Sequence, residues 1–376
     1  ARASPRPAPP ACGERRHGAA LYRNYADEAF GMGAVNAAKP AAASEISAMV
    51  LTDLDVNTLP MLRELARQTD ASKIALIVPG WRADRYDENY PDYTPKEGLE
   101  TYIEQAQALG YKALLHVNLI GCDDDSPDYA ASGLEDDRYL DAYSLQPRLE
   151  SWTSSYSVSF WLINPASPDW QDLLIARLTE AYRTLGVDGF HLDQSLLCYN
   201  DGRGYVNGMT SMQGTVELER RLAEALPDCL FSGEGTNELN YRYASFLQRA
   251  PYGINSSTGT SWDEVKISQI LPVDTLLFGS GTRLYHYPAM PTSGNETAYL
   301  MWCRAGMRLG ALPTLMRSST YELTNANLAT KQAINLFLWW QDNQPILHYA
   351  AGYGTAFARW RTRNGASVDW HTEELW

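Results

Sequence analysis

Two acidic residues stand at the ends of two short apolar segments, 41 positions apart. Asp193 ends segment 187–193, and Glu234 ends segment 229–234. Short apolar runs of this kind predict buried strands, and acids at the carboxyl ends of neighbouring parallel strands would point into one cleft. Cleavage of a glycosidic bond requires such a pair, with one group acting as nucleophile or base and the other protonating the leaving oxygen. The charge of Asp193 would keep a nearby Glu234 protonated, and therefore suited to be the acid.

Further polar and aromatic residues are predicted to surround this pair. His116 and Asn118 lie two residues apart on a predicted strand, as do His191 and Asp193, so each pair would face one side of its strand. The chain contains 11 Trp and 23 Tyr but only 8 Phe, and Trp and Tyr combine a flat apolar face with a polar edge. We therefore predict the following substrate-binding residues: Trp81, Tyr90, His116, Asn118, Trp161 and His191.

Apolar strands alternate with helical periodicity along most of the chain. The alternation predicts an α/β protein, a (β/α)8 TIM barrel, whose active site lies at the carboxyl ends of its strands. The predicted strands are 46–54, 72–79, 112–119, 187–193, 229–234, 252–256, 274–279 and 311–315. The predicted helices are 59–68, 96–109, 168–185, 211–226, 262–270, 296–309 and 326–341.

The pattern also suggests the domain organisation. Residues 1–45 lack periodicity and are interpreted as an arm on the domain, and residues 46–342 as the catalytic barrel. Residues 120–166 form a long excursion after the third strand, which indicates a loop subdomain. Residues 343–376 are interpreted as an irregular or β C-terminal extension. The Pro- and Arg-containing start indicates a linker or a processed end, and a secreted or cell-surface location is favoured over the cytoplasm.

The composition restricts the partners. A net charge of −14 disfavours nucleic acid, which proteins bind with Lys and Arg, and no apolar run is long enough to span a membrane. Five scattered Cys without a CxxC pair indicate neither a zinc knuckle nor a redox motif. No cofactor is predicted. The acidic run Asp123, Asp124 and Asp125 offers oxygen ligands for Ca²⁺, although such runs are more often solvated loops.

The two acid-bearing segments resemble a known group of enzymes. Residues 185–193 (LGVDGFHLD) are similar to the nucleophile-bearing fourth strand of retaining α-glycosidases in the α-amylase superfamily and its relatives. These relatives include the dextranase and cycloisomaltooligosaccharide-forming family and the endo-α-N-acetylgalactosaminidases. Residues 231–234 (FSGE) resemble the fifth strand, which carries the general acid/base. The resemblance implies a retaining glycoside hydrolase or transglycosidase acting on an α-linked oligo- or polysaccharide, with Asp193 as nucleophile and Glu234 as acid/base.

The resemblance has two departures, and two alternatives remain beside it. No Asn-His-Asp follows the seventh strand, so the third acid of α-amylases has no matching residue. His191 stands where α-amylases carry Arg, which predicts a divergent relative. The first alternative is a metal-dependent barrel hydrolase or isomerase with His116, His191, Asp193 and Glu234 as ligands, because imidazoles and carboxylates on adjacent strands can hold Zn²⁺ or Mn²⁺. The second is a carbohydrate-binding barrel without catalysis. The retaining mechanism predicts a separation of about 5–5.5 Å between the two carboxyl groups.

Overall fold

A computed structural model provides the three-dimensional structure of the chain. It describes residues 21–22, 24–52, 58–152, 157–195, 199–234, 242–249, 282–286 and 311–317, individual helical residues between 331 and 341, and the segments 359–361 and 367–369. Within these residues the strands are β1 Ala48–Thr52, β2 Ile74–Val78, β3 Lys112–Asn118, β4 Gly121–Cys122, β5 Leu149–Glu150, β6 Phe160–Leu162, β7 Gly189–Asp193, β8 Leu230–Gly233, β9 Phe246–Arg249, β10 Arg283–His286, β11 Thr314–Arg317, β12 Arg359–Arg361 and β13 Ser367–Asp369.

The helices of the described residues connect these strands. They are α1 Met32–Ala37, α2 Ala42–Glu45, α3 Leu59–Gln68, α4 Leu99–Ala108, α5 Pro127–Ala131, α6 Pro168–Leu185 and α7 Ser211–Ala225, with 3₁₀ turns at Ala71–Lys73 and Leu134–Asp137. None of them is long and apolar enough to cross a membrane.

Eight parallel strands form one sheet that closes almost completely into a barrel. Their order is β10-β9-β8-β7-β3-β2-β1-β11, and β1 pairs with both β2 and β11. On the other side, Leu312 bridges Tyr285 of β10 in parallel, and its N–H donates to the carbonyl of Leu284. Since sequential strands are neighbours around the ring, the predicted (β/α)8 TIM barrel is confirmed.

Local sequence explains the elements that carry the barrel. All five residues of β2 are buried, as expected for a strand that is covered on both faces. Helix α6 begins where Ser167 Oγ accepts the N–H of Trp170, has Pro168 in its first turn, and ends at Gly186 with a left-handed φ of 61°. Helix α7 begins with a capping box between Thr210 and Gln213. These helices therefore begin and end close to their predicted positions.

The sixth and seventh strands lie elsewhere than the sequence predicted. They are β9 and β10, whereas the predicted ranges 252–256 and 274–279 lie outside the described residues. Both strands carry polar residues that interact with each other between the adjacent strands, since Tyr285 lies beside Gln248 and is hydrogen-bonded to it. Neither strand therefore has the continuous apolar run on which the prediction depended. The predicted helices after residue 260 also lie largely outside the described residues.

Three peripheral segments accompany the barrel in the described chain. Residues 24–30, α1 and α2 of the predicted arm are helical. Helices this short show little periodicity, so the sequence did not indicate them. Ala26 and Met32 pack against a cluster that includes Leu247 of β9 and Leu284 of β10. The excursion after β3 contains a three-stranded antiparallel sheet in the order β4-β6-β5, and at the other end of the chain β12 pairs with β13.

Candidate active site

The register of the barrel strands brings the polar residues together. β3 and β7 pair so that His116 lies beside His191 and Asn118 beside Asp193. β7 and β8 pair so that His191 lies beside Ser232, and Glu234 follows directly after β8. Of the predicted residues, Asp193, Glu234, His116 and His191 therefore meet at the carboxyl ends of three adjacent strands.

The carboxyl groups of Asp193 and Glu234 are hydrogen-bonded to each other. The Gln194 N–H donates to Glu234 Oε2 at 2.8 Å, and the Glu234 N–H donates to Ser195 Oγ at 2.8 Å. Two residues just after Asp193 thus hold Glu234 in place. Gln194 does so through its backbone N–H, and Ser195 through its side-chain hydroxyl.

The surroundings drive the two acids toward opposite protonation states. Burial, and then the negative charge of Asp193, raise the pKa of Glu234 well above the usual carboxylic range. Burial alone would raise the pKa of Asp193 too, but the charge and hydrogen bond of His116, with His191 and Glu234, outweigh it and lower that pKa. The pair therefore holds one proton near neutral pH, on Glu234, and Asp193 remains ionised.

Tyr86 and His116 contact the ionised carboxylate directly. The Tyr86 hydroxyl donates to Asp193 Oδ2 at 3.4 Å and lies 3.4 Å from His116 Nε2, which is itself 3.7 Å from Asp193 Oδ2. The Tyr86 and His116 rings pack at 5.2 Å between centroids. Sequence reasoning missed Tyr86, because it lies in the loop after β2, where no strand period marks the direction of a side chain.

His191 belongs to a buried hydrogen-bonded layer beneath the acid pair. Its Nδ1 lies 3.0 Å from Ser232 Oγ and 3.2 Å from the Tyr285 hydroxyl, and these two oxygens are 3.0 Å apart. Burial, followed by the charge of His116, lowers the pKa of His191 to about 3, so its imidazole is neutral. Ser232 and Tyr285 were also missed. Ser232 lies two residues before Glu234 on a strand that was predicted, so the two-residue period was the signal for it. Tyr285 lies on β10, which the sequence placed elsewhere.

A third acid, Asp87, lies beside the pair. Its side chain is completely buried, and its backbone has a left-handed φ of 65°, which is uncommon for a residue other than glycine. Burial, and then the charge of Asp193, raise the pKa of Asp87 to about 7, against the opposing effects of His116 and Arg82. The sequence offered no strand position from which to predict it.

The predicted aromatic platforms lie inside the protein or under other side chains. Trp81 is completely buried, and its indole N–H donates to the His116 carbonyl at 2.7 Å. Tyr90 is buried beneath the Arg82 guanidinium, 4.0 Å from its ring centroid. Trp161 donates to Asp124 Oδ2 and is covered by Arg138, 4.2 Å from its ring centroid. The Trp81 indole thus fixes the backbone of His116, and the contacts of Tyr90 and Trp161 stabilise the loops around the site.

Two further polar groups have structural contacts. Asn118 Oδ1 accepts the N–H groups of Ile120 and Gly121 at 3.0 and 2.7 Å, and so shapes the turn into the excursion. Asp188, before β7, accepts from Gln107, from Lys112 and from the N–H of Ala113. Asp188 therefore joins α4, β3 and β7 at the end of the strand opposite Asp193.

The site also brings together side chains of the types that bind metal ions. One ligand atom from each of His116, His191 and Asp193 lies within 4.8 Å of the others, and all three residues are buried. In the acidic run that suggested Ca²⁺, Asp123 accepts the N–H groups of Asn89 and Asp125. The Asp123 carboxylate thus joins the loop after β2 to the excursion through backbone N–H groups of both.

Together these features define a class of protein. It is an eight-stranded parallel α/β barrel with a hydrogen-bonded pair of acids at the carboxyl ends of neighbouring strands. A family model described as a domain of unknown function, DUF6259, matches residues 14–275. The chain belongs to this family. No curated protein matches it.

Two of the solved structures that share this barrel are glycosidases, both at low sequence identity. An α-N-acetylgalactosaminidase from Bifidobacterium bifidum, studied as a quadruple mutant, has a TM-score of 0.65 and 16% identity over 95% of this chain and 62% of its own. A GH36 α-galactosidase, AgaA from Geobacillus stearothermophilus, has a TM-score of 0.54 and 13% identity over 82% of this chain and 43% of its own. The chain thus spans less than two thirds of either neighbour, and these likenesses establish its fold.

Proposed function

We propose that the protein is a retaining glycoside hydrolase or transglycosidase, with Asp193 as nucleophile and Glu234 as general acid/base. One observation carries the proposal: two hydrogen-bonded acids on adjacent barrel strands have pKa values that move in opposite directions. This difference assigns the ionised group to nucleophilic attack and the protonated group to acid catalysis. The direct interaction of the two side chains favours the retaining arrangement, because inverting enzymes need about 6.5–9.5 Å between the carboxyl groups to admit a water molecule.

The proposed reaction has two displacements. In the first, an Asp193 carboxylate oxygen attacks the anomeric carbon, the bond to the aglycone oxygen breaks, and Glu234 gives that oxygen its proton. In the second, ionised Glu234 takes a proton from water, whose oxygen attacks the anomeric carbon and displaces Asp193. An acceptor sugar hydroxyl in place of water gives transfer. Tyr86 and His116 stabilise the Asp193 carboxylate from its Oδ2 side before attack.

The proposed substrate is an α-linked galactose or N-acetylgalactosamine at the end of an oligo- or polysaccharide. The support is the fold shared with an α-galactosidase and an α-N-acetylgalactosaminidase, together with the acid pair of this chain. The net charge of −14 also suits a neutral sugar better than a polyanion.

A panel of 4-nitrophenyl α-glycosides tests this function. We expect turnover of the galactoside or the N-acetylgalactosaminide, with the α-anomer released first in NMR spectra. Asp193→Asn should lower kcat/KM on these substrates by at least about 10³-fold, and Glu234→Gln should do so on an oligosaccharide, whose poorer leaving group must be protonated as it departs. Asp188→Asn, next to the same strand, is the control and should remain active as long as it folds. Near-full activity of Asp193→Asn, or of Glu234→Gln on the oligosaccharide, would disprove the assignment, and binding of glycans without turnover would support the non-catalytic barrel.

The clustering of His116, His191 and Asp193 favours a second candidate, a metal-dependent hydrolase or isomerase. Two imidazoles and a carboxylate fit Zn²⁺, and the second nitrogen of His191 already has the hydrogen-bond partners that orient a metal-bound imidazole. Dialysis against a chelator, with metal analysis before and after, distinguishes the two candidates. Activity that disappears and returns with Zn²⁺ or Mn²⁺ would support the metal enzyme, and unchanged activity of metal-free protein would remove it.

A further inference from the structure

Five large hydrophobic side chains stand exposed on two joined loops near the barrel opening. Seven such side chains are exposed in the described part of the chain, and five of them lie between residues 143 and 205. Tyr143 is 97% exposed, Tyr205 70% and Trp152 51%. We define this set as the outer aromatic surface: Tyr143, Leu145, Leu149, Trp152 and Tyr205.

The two loops that display this surface are fastened together. The Gly202 N–H donates to the Leu140 carbonyl at 2.8 Å, and the Arg203 guanidinium donates to the carbonyls of Asp136 and Arg138. A Cβ at Gly202 would lie 2.7 Å from Leu145 Cδ2, so the 199–205 segment touches the surface itself. The two loops are therefore one structural unit.

The turn that presents Tyr143 is held rigid by its neighbours. Asp141 Oδ1 accepts the N–H groups of Tyr143 and Ser144 at 3.1 and 2.8 Å, and its carbonyl accepts the N–H of Leu145. Leu145 has a left-handed φ of 56°, a conformation that costs free energy in a residue other than glycine. The backbone that carries Tyr143 is therefore already ordered, so a ligand that stacks on the ring does not have to order the turn.

Other aromatic rings of the same unit are already covered. Arg148 lies 3.7 Å from the ring centroid of Tyr199, and Arg138 lies 4.2 Å from that of Trp161. The unit thus has cations that protect these rings from solvent. Tyr143 and Tyr205 remain exposed although arginines of the same unit cover other rings.

This unit is attached to the strands that carry the acid site. The excursion starts directly after β3, which carries His116, and the 199–205 segment follows β7, which ends at Asp193. The Asn164 amide donates to Asp201 at 2.7 Å and connects the two loops again near the barrel. The outer aromatic surface is therefore on the same end of the barrel as the acid pair.

We propose that the outer aromatic surface binds the neutral sugar rings of a glycan whose terminal sugar occupies the Asp193–Glu234 site. Five side chains match the size of a few sugar rings, whereas a stable protein interface uses about 20–30 residues on each side. Tyr and Trp offer flat apolar faces with polar edges, which suit sugar rings. The proposal rests on the proposed function, and it adds the recognition of a longer chain beyond the bond that is cleaved.

Kinetics on a short and a long substrate test the proposal. Tyr143→Ala, Trp152→Ala and Tyr205→Ala are made singly and together in the full chain, with Tyr25→Ala, a 55% exposed Tyr near the N-terminus, as the matched control. We expect each single variant to lower kcat/KM on galactomannan or desialylated mucin about two- to tenfold. The 4-nitrophenyl glycoside should be cleaved as by the wild type.

A binding readout separates this proposal from the proposed function. In native affinity electrophoresis through galactomannan or desialylated mucin, the wild type should be retarded and the triple variant should not, whether or not any glycoside is cleaved. Equal retardation and equal kinetics of the triple variant and the wild type would overturn the proposal. So would a change of oligomeric state in the triple variant by light scattering, because the surface would then be an interface between copies of the chain.

Discussion

The hydroxyl of Tyr86 donates a hydrogen bond to Oδ2 of Asp193, at 3.4 Å, from a loop more than one hundred residues earlier in the chain. The same hydroxyl lies 3.4 Å from His116 Nε2. Burial, and then the charge of Asp193, raise the pKa of Tyr86, so it stays protonated and able to donate. Tyr86 thus helps to keep Asp193 ionised in a buried position.

Replacing Tyr86 tests this contact. Tyr86→Phe removes the donor and keeps the ring that packs on His116, so the pKa of Asp193 should rise and kcat/KM should fall by up to about tenfold. His116→Asn should raise the pKa of Asp193 further, because His116 has the largest lowering effect on it. The measurement is the pH dependence of kcat/KM. An acid limb that does not move in Tyr86→Phe would contradict this role.

The opposite pKa shifts predict a broad range of pH for activity. Asp193 must be ionised, and its lowered pKa places the acid limb below the usual range for Asp. Glu234 must be protonated, and its raised pKa places the basic limb above the usual range for Glu. We expect kcat/KM to decrease as the pH rises through the pKa of Glu234, and again as it falls through that of Asp193. A basic limb near pH 4–5 would disprove the raised pKa.

Asp87 should make the folded protein less stable as the pH rises. Its pKa is about 7 in the folded state and about 3.9 in an unfolded chain, so the folded state binds the extra proton between these values. Stability is therefore lost as the pH rises from about 4 to 7, by up to about 4 kcal/mol. Asp87→Asn removes this loss. In thermal unfolding, the gain in Tm over the wild type should be larger at pH 8 than at pH 4; an equal gain would contradict the prediction.

Gly189 is needed where β7 begins. A Cβ at this position would lie 1.9 Å from the carbonyl oxygen of Leu230, in the backbone of β8. Gly189→Ala should therefore push apart the two strands that carry the acids, and lower the free energy of unfolding by at least about 1–3 kcal/mol. Gly33→Ala is the control, because Gly33 lies in helix α1 with only Asp27 Oδ1 nearby, at 3.7 Å. It should leave stability unchanged or raise it slightly in denaturant unfolding.

The sequence alone led to the barrel and to the acid pair. Asp193 and Glu234 end short apolar segments, and in a barrel built in chain order the fourth and fifth strands are neighbours, so their acids must meet. His116 and His191 followed from the two-residue period of a strand. Helices α3, α6 and α7 were predicted close to their bounds because helical spacing and end caps are local signals.

Only the tertiary structure decided the rest of the site. Tyr86 and Asp87 come from a loop, where the direction of a side chain depends on packing. The adjacent strands β9 and β10 hold polar residues that hydrogen-bond to each other in place of an apolar run. Trp81, Tyr90 and Trp161 have the right type for stacking on a sugar, but burial and covering arginines are long-range outcomes. The separation of the two pKa values is of the same kind, because it depends on desolvation and on charges that only the folded chain brings together.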